Sequence, residues 1–290
     1  MDGGLNDAMN AHLSKVKVRE LIAKIRDFRA KPIRTMSDHD IFSAIHDVLL
    51  VDNEFYLPVL RQVFPEGSQF FRARVLTGSM TPFRELINEG SFWSAPENLI
   101  TKPGRLNAVR ESLLYTTYGN MSVPLLEIKA EPNTYCAMMV YEAVADVKAT
   151  VIGGDYGGVN IASENARAVL EIYANFLYDE FTRDVGLGTE YLYKTSEIIA
   201  KTFFDQPRTE QDAWQYPSLY DKSVVNICFR PAVARELLIL KGTFICKVNE
   251  NHTPNIAAVI RRSDEHGNPI YELKSEEAIK SISANIQRRD

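Results

Sequence analysis

Apolar residues recur every three to four positions from His12 to Arg29, at Val18, Leu21, Ile22, Ile25 and Phe28, and predict an amphipathic helix. Its other face carries Lys15, Lys17, Arg19, Lys24 and Arg26 and reads as a solvated face. Pro32 ends it. Ser37, followed by Asp38 and Asp40, caps a second helix to about Val51 with Ile41, Ile45, Val48 and Leu49 inward. The pattern then shortens. Gln69–Val75 reads as a strand, and residues 76–103 form a proline- and glycine-punctuated loop holding the aromatic patch Phe92-Trp93-Ser94-Ala95-Pro96, a pocket wall, a lid or local packing. Leu113-Leu114-Tyr115 predicts a short buried strand ending in Tyr115. Ser122 with Pro124 predicts a helix start.

Two strands follow, Tyr135 to Ala145 and Val147 to Ile152. A long helix runs from a Ser163 cap to about Arg183, and another from Tyr191 to Phe204. The aromatics of these helices read as core. Strands are expected at Ala213–Tyr216, Val224–Phe229 (ended by Arg230-Pro231), Leu237–Leu240 and Thr243–Val248. Ala257–Ile260 and Ile270–Leu273 predict a hairpin around His266-Gly267-Asn268. A last helix carries Ile279, Ile282 and Ile286 and reads as an accessory element.

The mixture is α+β. It is read as an N-terminal helical segment (1–65), a central domain (66–248) and a C-terminal hairpin and helix extension (249–290). A 45% apolar share among 290 residues suffices for a sizeable core. A net charge of -5 argues against nucleic acid as the main partner. Cys136, Cys228 and Cys246 sit in apolar runs without CxxC spacing and read as reduced thiols of a cytoplasmic protein. The N-terminus shows no apolar leader core, and no apolar run reaches the roughly 18 residues of a membrane span. The 153–158 glycine turn lacks the ending of a phosphate-cradling P-loop, and Arg34-x4-His39 straddles a helix cap and is discounted.

Candidate chemistry gathers at 104–127. Arg105, beside Gly104 and ahead of Asn107, suits an anionic group, and Tyr115 offers a ring face. Glu127, among Pro124, Leu125, Leu126 and Ile128, is expected in the first turns of its helix, near the positive end of the helix dipole. A surface carboxylate is its other reading. Arg72 and Arg74, two apart on one strand face, either grip phosphates or make rim salt bridges.

GRLN at 104–107, LLY ending at Tyr115, LLEIK around Glu127, YPS at 216–218 and VVNICFRP at 224–231 together resemble the RES-domain family. Leu106 stands where that family carries Trp. The resemblance covers about Phe70 to Leu240. It implies a fold similar to ADP-ribosyltransferases, a split mixed or antiparallel β core with flanking helices. It also implies destruction of NAD+ at the nicotinamide–ribose bond by hydrolysis or phosphorolysis. Family members include toxins paired with Xre-like helix-turn-helix antitoxins, so a toxin or growth-inhibiting role is expected. The expected partners are NAD+, phosphate, such an antitoxin and a second copy in a homodimer. On this reading Glu127 stabilises the ribosyl cation, Arg105 and Arg72 hold pyrophosphate, Tyr115 stacks on nicotinamide or ribose, and Ser218 hydrogen-bonds the carboxamide or a ribose hydroxyl. The five histidines fall outside the resembling segment, so neither a metal nor a histidine base is expected. Mono-ADP-ribosylation of a protein target and a non-catalytic binding module are the alternatives.

Overall fold

The computed structural model describes residues 9–50, 59–76, 86, 89–161, 163–263, 269–273 and 275–282. The chain folds as α+β, in two compact units, each drawn from separated stretches. The first holds Met1–Gln62, Ile100–Glu111 and Thr150–Pro217. The second holds Val63–Leu99, Ser112–Ala149 and Ser218–Asp290. Neither follows the segment boundaries read from the sequence, because residues distant in sequence meet in space.

In the first unit, α1 (Val18–Arg29) and α2 (Asp38–Leu49) form where the apolar stripes lie, burying Leu21, Ile25 and Phe28 on one and Ile41, Ile45, Val48 and Leu49 on the other. Ser37 closes a capping box on α2: its hydroxyl accepts from the Asp40 N–H, and the Asp40 carboxylate accepts from the Ser37 N–H. The long α4 (Glu164–Thr182) starts at Ser163, whose side chain accepts from the Ala166 N–H at 3.3 Å. Phe28 of α1 meets Phe176 of α4 edge to face, ring centres 5.4 Å apart. Phe42 of α2 stacks on Phe203 of α5 (Tyr193–Phe203). Strand β6 (Ala213–Pro217) also belongs here, while β1 (Leu60–Phe64) and β5 (Val147–Val151) each contribute residues to both units.

Among the described residues, the second unit is built on seven antiparallel strands. Their lateral order is β7 (Val225–Phe229), β3 (Leu114–Tyr118), β2 (Gln69–Val75), β4 (Tyr135–Ala143), β8 (Leu238–Val248), β9 (Pro254–Ser263) and β10 (Pro269–Leu273). The expected hairpin is β9 and β10; its turn lies outside the described residues, as does Ile286. Strand β3 begins at Leu114 and runs on past Tyr115 to Tyr118. One face of the sheet presents Phe71, Ala73, Met138, Val140, Phe244 and Cys246. Leu125 of α3 (Val123–Glu127) and Ala278 and Ile282 of α7 (Glu276–Ile282) complete that core. The C-terminal helix is therefore part of the main core, which corrects its reading as an accessory element. Gly242 admits α7: a Cβ there would meet the Ile260 carbonyl oxygen at 2.7 Å. Helix α6 (Pro231–Leu237) starts with Pro231 in its first turn, where the missing N–H is harmless.

No helix among the described residues is long and apolar enough to cross a membrane.

Candidate functional site

The site is built around Glu127. Its helix α3 is five residues long, so Glu127, within the first two turns as expected, is also its last residue. Ser122 occupies the N-cap position without a side-chain cap; its own N–H donates to Asn120 Oδ1 at 2.9 Å. The helix is cut short by a Schellman closure. Lys129 turns to φ 51°, its N–H donates to the Leu126 carbonyl at 2.8 Å, and the Ala130 N–H donates to that of Leu125 at 2.9 Å. The predicted help from a helix N-terminus is therefore reversed: Glu127 sits at the negative end of its short helix.

Two neutral donors hold the carboxylate in place of a dipole. Ser218 Oγ donates to Glu127 Oε1 at 2.7 Å, and Asn226 Nδ2 donates to the same oxygen at 3.0 Å. No ion pair reaches Glu127, and Oε2 has no hydrogen-bond partner among the described residues. The carboxylate is half-buried, whereas Ser218 is 0% and Asn226 7% exposed, so both donors are fixed from below.

Ser218 is oriented by its own loop. Its N–H donates to the Val224 carbonyl at 3.2 Å, and its Oγ accepts the Tyr220 N–H at 3.1 Å. Asp221 tightens the same turn, accepting from the Ser223 N–H at 2.9 Å and its hydroxyl at 2.6 Å. These bonds hold the Asp221 carboxyl below the usual carboxylate range.

Asn226 is oriented by the sheet. It lies opposite Thr117 on β3, and Cys228 lies opposite Tyr115. Thr117 in turn faces Phe71, so Phe71, Thr117, Tyr115 and Asn226 share one sheet face, the face that α3 covers. Half-buried Tyr115 is thereby brought to the side of Glu127 and Asn226. The Thr117 hydroxyl on that face is buried and makes no hydrogen bond.

Asn226 lies in the VVNICFRP motif but is not among the site residues read from the sequence. Its signal was there: a carboxamide inside the apolar run Val224-Val225-Asn226-Ile227-Cys228-Phe229 must find a partner when buried.

Arg72 does not join this cluster. Strand alternation turns it, with Phe70 and Arg74, to the opposite face from Phe71 and Ala73. There its Nη1 donates to the Trp93 carbonyl at 3.0 Å. Tyr141, opposite Phe70, donates its hydroxyl to the Phe92 carbonyl, and burial pushes the phenol up to about 12. Trp93 packs on Tyr141 with ring centres 5.2 Å apart and carries the Arg235 guanidinium at 4.1 Å. The Phe92-Trp93 patch is thus packed against β4, and Arg72 is a strut for it. A shared anchoring role with Glu127 is corrected by this parity.

Arg105 belongs to the first unit. Its Nη2 donates to the Arg183 carbonyl at 3.1 Å, its guanidinium lies 5.2 Å from the centre of the Tyr193 ring, and its carbonyl accepts the Ser196 hydroxyl at 2.7 Å. Its Nη1 is buried without a partner.

Set against family models, curated proteins and solved structures, the chain matches none.

Among the described residues no group of three or more His, Cys, Asp or Glu side chains is placed to hold a metal ion. The arrangement at Glu127 offers a carboxylate held by two neutral hydrogen-bond donors and unpaired among the described residues, with Tyr115 on the same sheet face. Such a group can stabilise a developing positive charge, or accept a hydroxyl proton, at a position set by its two donors.

Proposed function

We propose that this chain is an NAD+-consuming enzyme of the RES type, and that Glu127 is its central catalytic group. The observation that carries the reading is the Glu127 carboxylate, held at Oε1 by Ser218 and Asn226, with Oε2 uncommitted and no cation paired to it among the described residues. The α+β architecture is compatible with the ADP-ribosyltransferase-like core that the resemblance implies. In this mechanism the bond between ribose C1′ and the nicotinamide nitrogen breaks, and its electron pair leaves with neutral nicotinamide. The oxocarbenium-like ribose is stabilised by Glu127 Oε2. Water or phosphate then adds an oxygen to C1′, and water's proton passes to solvent. Tyr115, on the same sheet face, supplies a ring against which a flat ligand can stack. Ser218 is a positioning residue: its proton is engaged by Glu127, and no histidine among the described residues bonds to it.

The test is nicotinamide release from NAD+ by the purified chain, with and without phosphate, beside Glu127→Gln. Gln keeps an acceptor for Ser218 and Asn226 but loses the charge, so release should fall by roughly a hundredfold or more while the fold persists. Intact NAD+ under both conditions would overturn the proposal. Labelled NAD+ that marks a protein instead would redirect it to ADP-ribose transfer.

A further inference from the structure

A second feature lies wholly in the first unit. The C-terminal end of α1, the 3-10 turn Ile33–Thr35 and the 3-10 turn Glu190–Leu192 bound a cleft of about 240 Å³. Four cations line it: Arg29, Lys31, Arg34 and Arg183. Two are neutralised in place. Arg29 pairs with Asp179 at 2.5 Å, and Arg183 pairs with Glu180 at 2.5 Å. The side chains of Lys31 and Arg34 have neither an acidic partner nor a hydrogen bond among the described residues. The lining therefore carries two uncompensated positive charges in a chain whose net charge is -5.

The surrounding groups do not cancel that charge. The α1 carbonyls at this end are largely engaged by backbone: Arg26 O accepts the Ala30 N–H at 3.1 Å, and Phe28 O accepts the Lys31 N–H at 3.0 Å. Arg26 and Arg29 in its last turn offset the negative end of its dipole. Asp27 faces Arg26 at 3.3 Å, and Glu190 is taken by Lys102 at 2.8 Å. The floor is buried and apolar, with Phe28 2% and Ile33 8% exposed. Tyr191, half-buried, adds a hydroxyl.

We infer that this cleft is an anion site for a phosphate group, free or carried by a small phosphomonoester. A guanidinium presents a planar fork to two phosphate oxygens, an ammonium adds a compact charge, and a doubly charged group balances the two free cations. The volume sets the class. It holds a phosphate and a few further heavy atoms, and it is below the roughly 300–1,000 Å³ of drug-sized ligand sites, so it does not take a dinucleotide. This is a site apart from the Glu127 cluster, and it does not rest on the NAD+ reading.

The experiment is isothermal titration of the full chain with inorganic phosphate and with glycerol 3-phosphate, at constant ionic strength in chloride, with acetate as a monoanion control. The comparison proteins are Lys31→Gln/Arg34→Gln, two exposed positions whose exchange leaves the core intact, and Glu127→Gln. The parent and Glu127→Gln should bind one equivalent of a phosphate ligand, and the double variant should lose at least tenfold in affinity with an unchanged circular dichroism spectrum. Binding of inorganic phosphate alone assigns a free-ion site; tighter binding of the ester assigns a metabolite site; both uphold the inference. Equal binding by the double variant, equal binding of acetate, or loss of binding in Glu127→Gln instead would overturn it.

Discussion

Ser218→Ala tests whether the Glu127 cluster is held as the geometry implies. The substitution deletes one donor to a carboxylate, at 2.7 Å, and the acceptor of the Tyr220 N–H, at 3.1 Å. A hydrogen bond to a charged group contributes roughly 1.5–3 kcal/mol, and a neutral one about 0.5–1.5. Tyr220 is 39% exposed, so water can replace Ser218 for its N–H, and the second contribution is small. The loss should be about 2–4 kcal/mol. A double-mutant cycle with Glu127→Ala separates the shared bond from the rest, and its coupling should be about 1.5–3 kcal/mol. Urea unfolding of the four proteins supplies the numbers. Trp93, 7% exposed, belongs to the second unit, whereas Trp214 belongs to the first. Working throughout in a Trp214→Phe background makes the fluorescence report on the second unit, and the cost of that exchange cancels around the cycle. A coupling below about 0.5 kcal/mol, with unchanged m-values, would refute the claim that Ser218 fixes Glu127.

Two further predictions concern the same sheet. Gly242→Ala brings a Cβ to 2.7 Å from the Ile260 carbonyl oxygen and 2.5 Å from Ile282 Cδ1, so the second unit should lose about 1–3 kcal/mol in the same urea assay; an unchanged midpoint would mean that α7 does not pack here in solution. Burial pushes the Cys136 thiol up to about 11 and the Cys246 thiol higher still, while unfolded thiols ionise near a pKa of about 8.5. Above that value the unfolded chain binds fewer protons than the folded one. Stability should therefore be flat below about pH 8 and fall between about pH 9 and 11, by up to about 1.4 kcal/mol per pH unit for each thiol. Urea midpoints from pH 7 to 10.5 check this, and Cys136→Ala should make the decline shallower; a slope identical to the parent's would remove the thiol from the account.

The elements whose signals are local were legible in the sequence. The stripes of α1 and α2, the Ser37 and Ser163 caps and the β9–β10 hairpin follow from spacing and cap chemistry within a few residues. What depends on pairing was not. Strand β2 lies between β3 and β4, a neighbour relation no local pattern encodes, and the parity of Arg72 follows from that register. Strand β8 is continuous through Gly242, which breaks an apolar run in sequence but in space yields room to α7. Arg230-Pro231 marks a strand end and, equally, the start of α6, since proline suits both. The lysine at φ 51° that ends α3 has no sequence signature, because glycine is the usual residue there. That single residue decides which end of the helix dipole Glu127 meets.

The choice of donors at Glu127 bears on the proposed chemistry. An arginine in place of Ser218 and Asn226 would fix the carboxylate as firmly, but a paired cation would oppose any positive charge developing beside it. A hydroxyl and a carboxamide orient Oε1 and leave the net charge whole. Residues 91 and 99 positions downstream of Glu127 are recruited for this, one from a self-bonded turn and one from mid-strand, where the sheet register holds it. An acid whose task was structural would be served better by the negative end of no helix and by a lysine or arginine within reach. Glu127 ends α3 and has no lysine or arginine paired with it among the described residues, the arrangement that the proposed stabilisation of a transient cation would require.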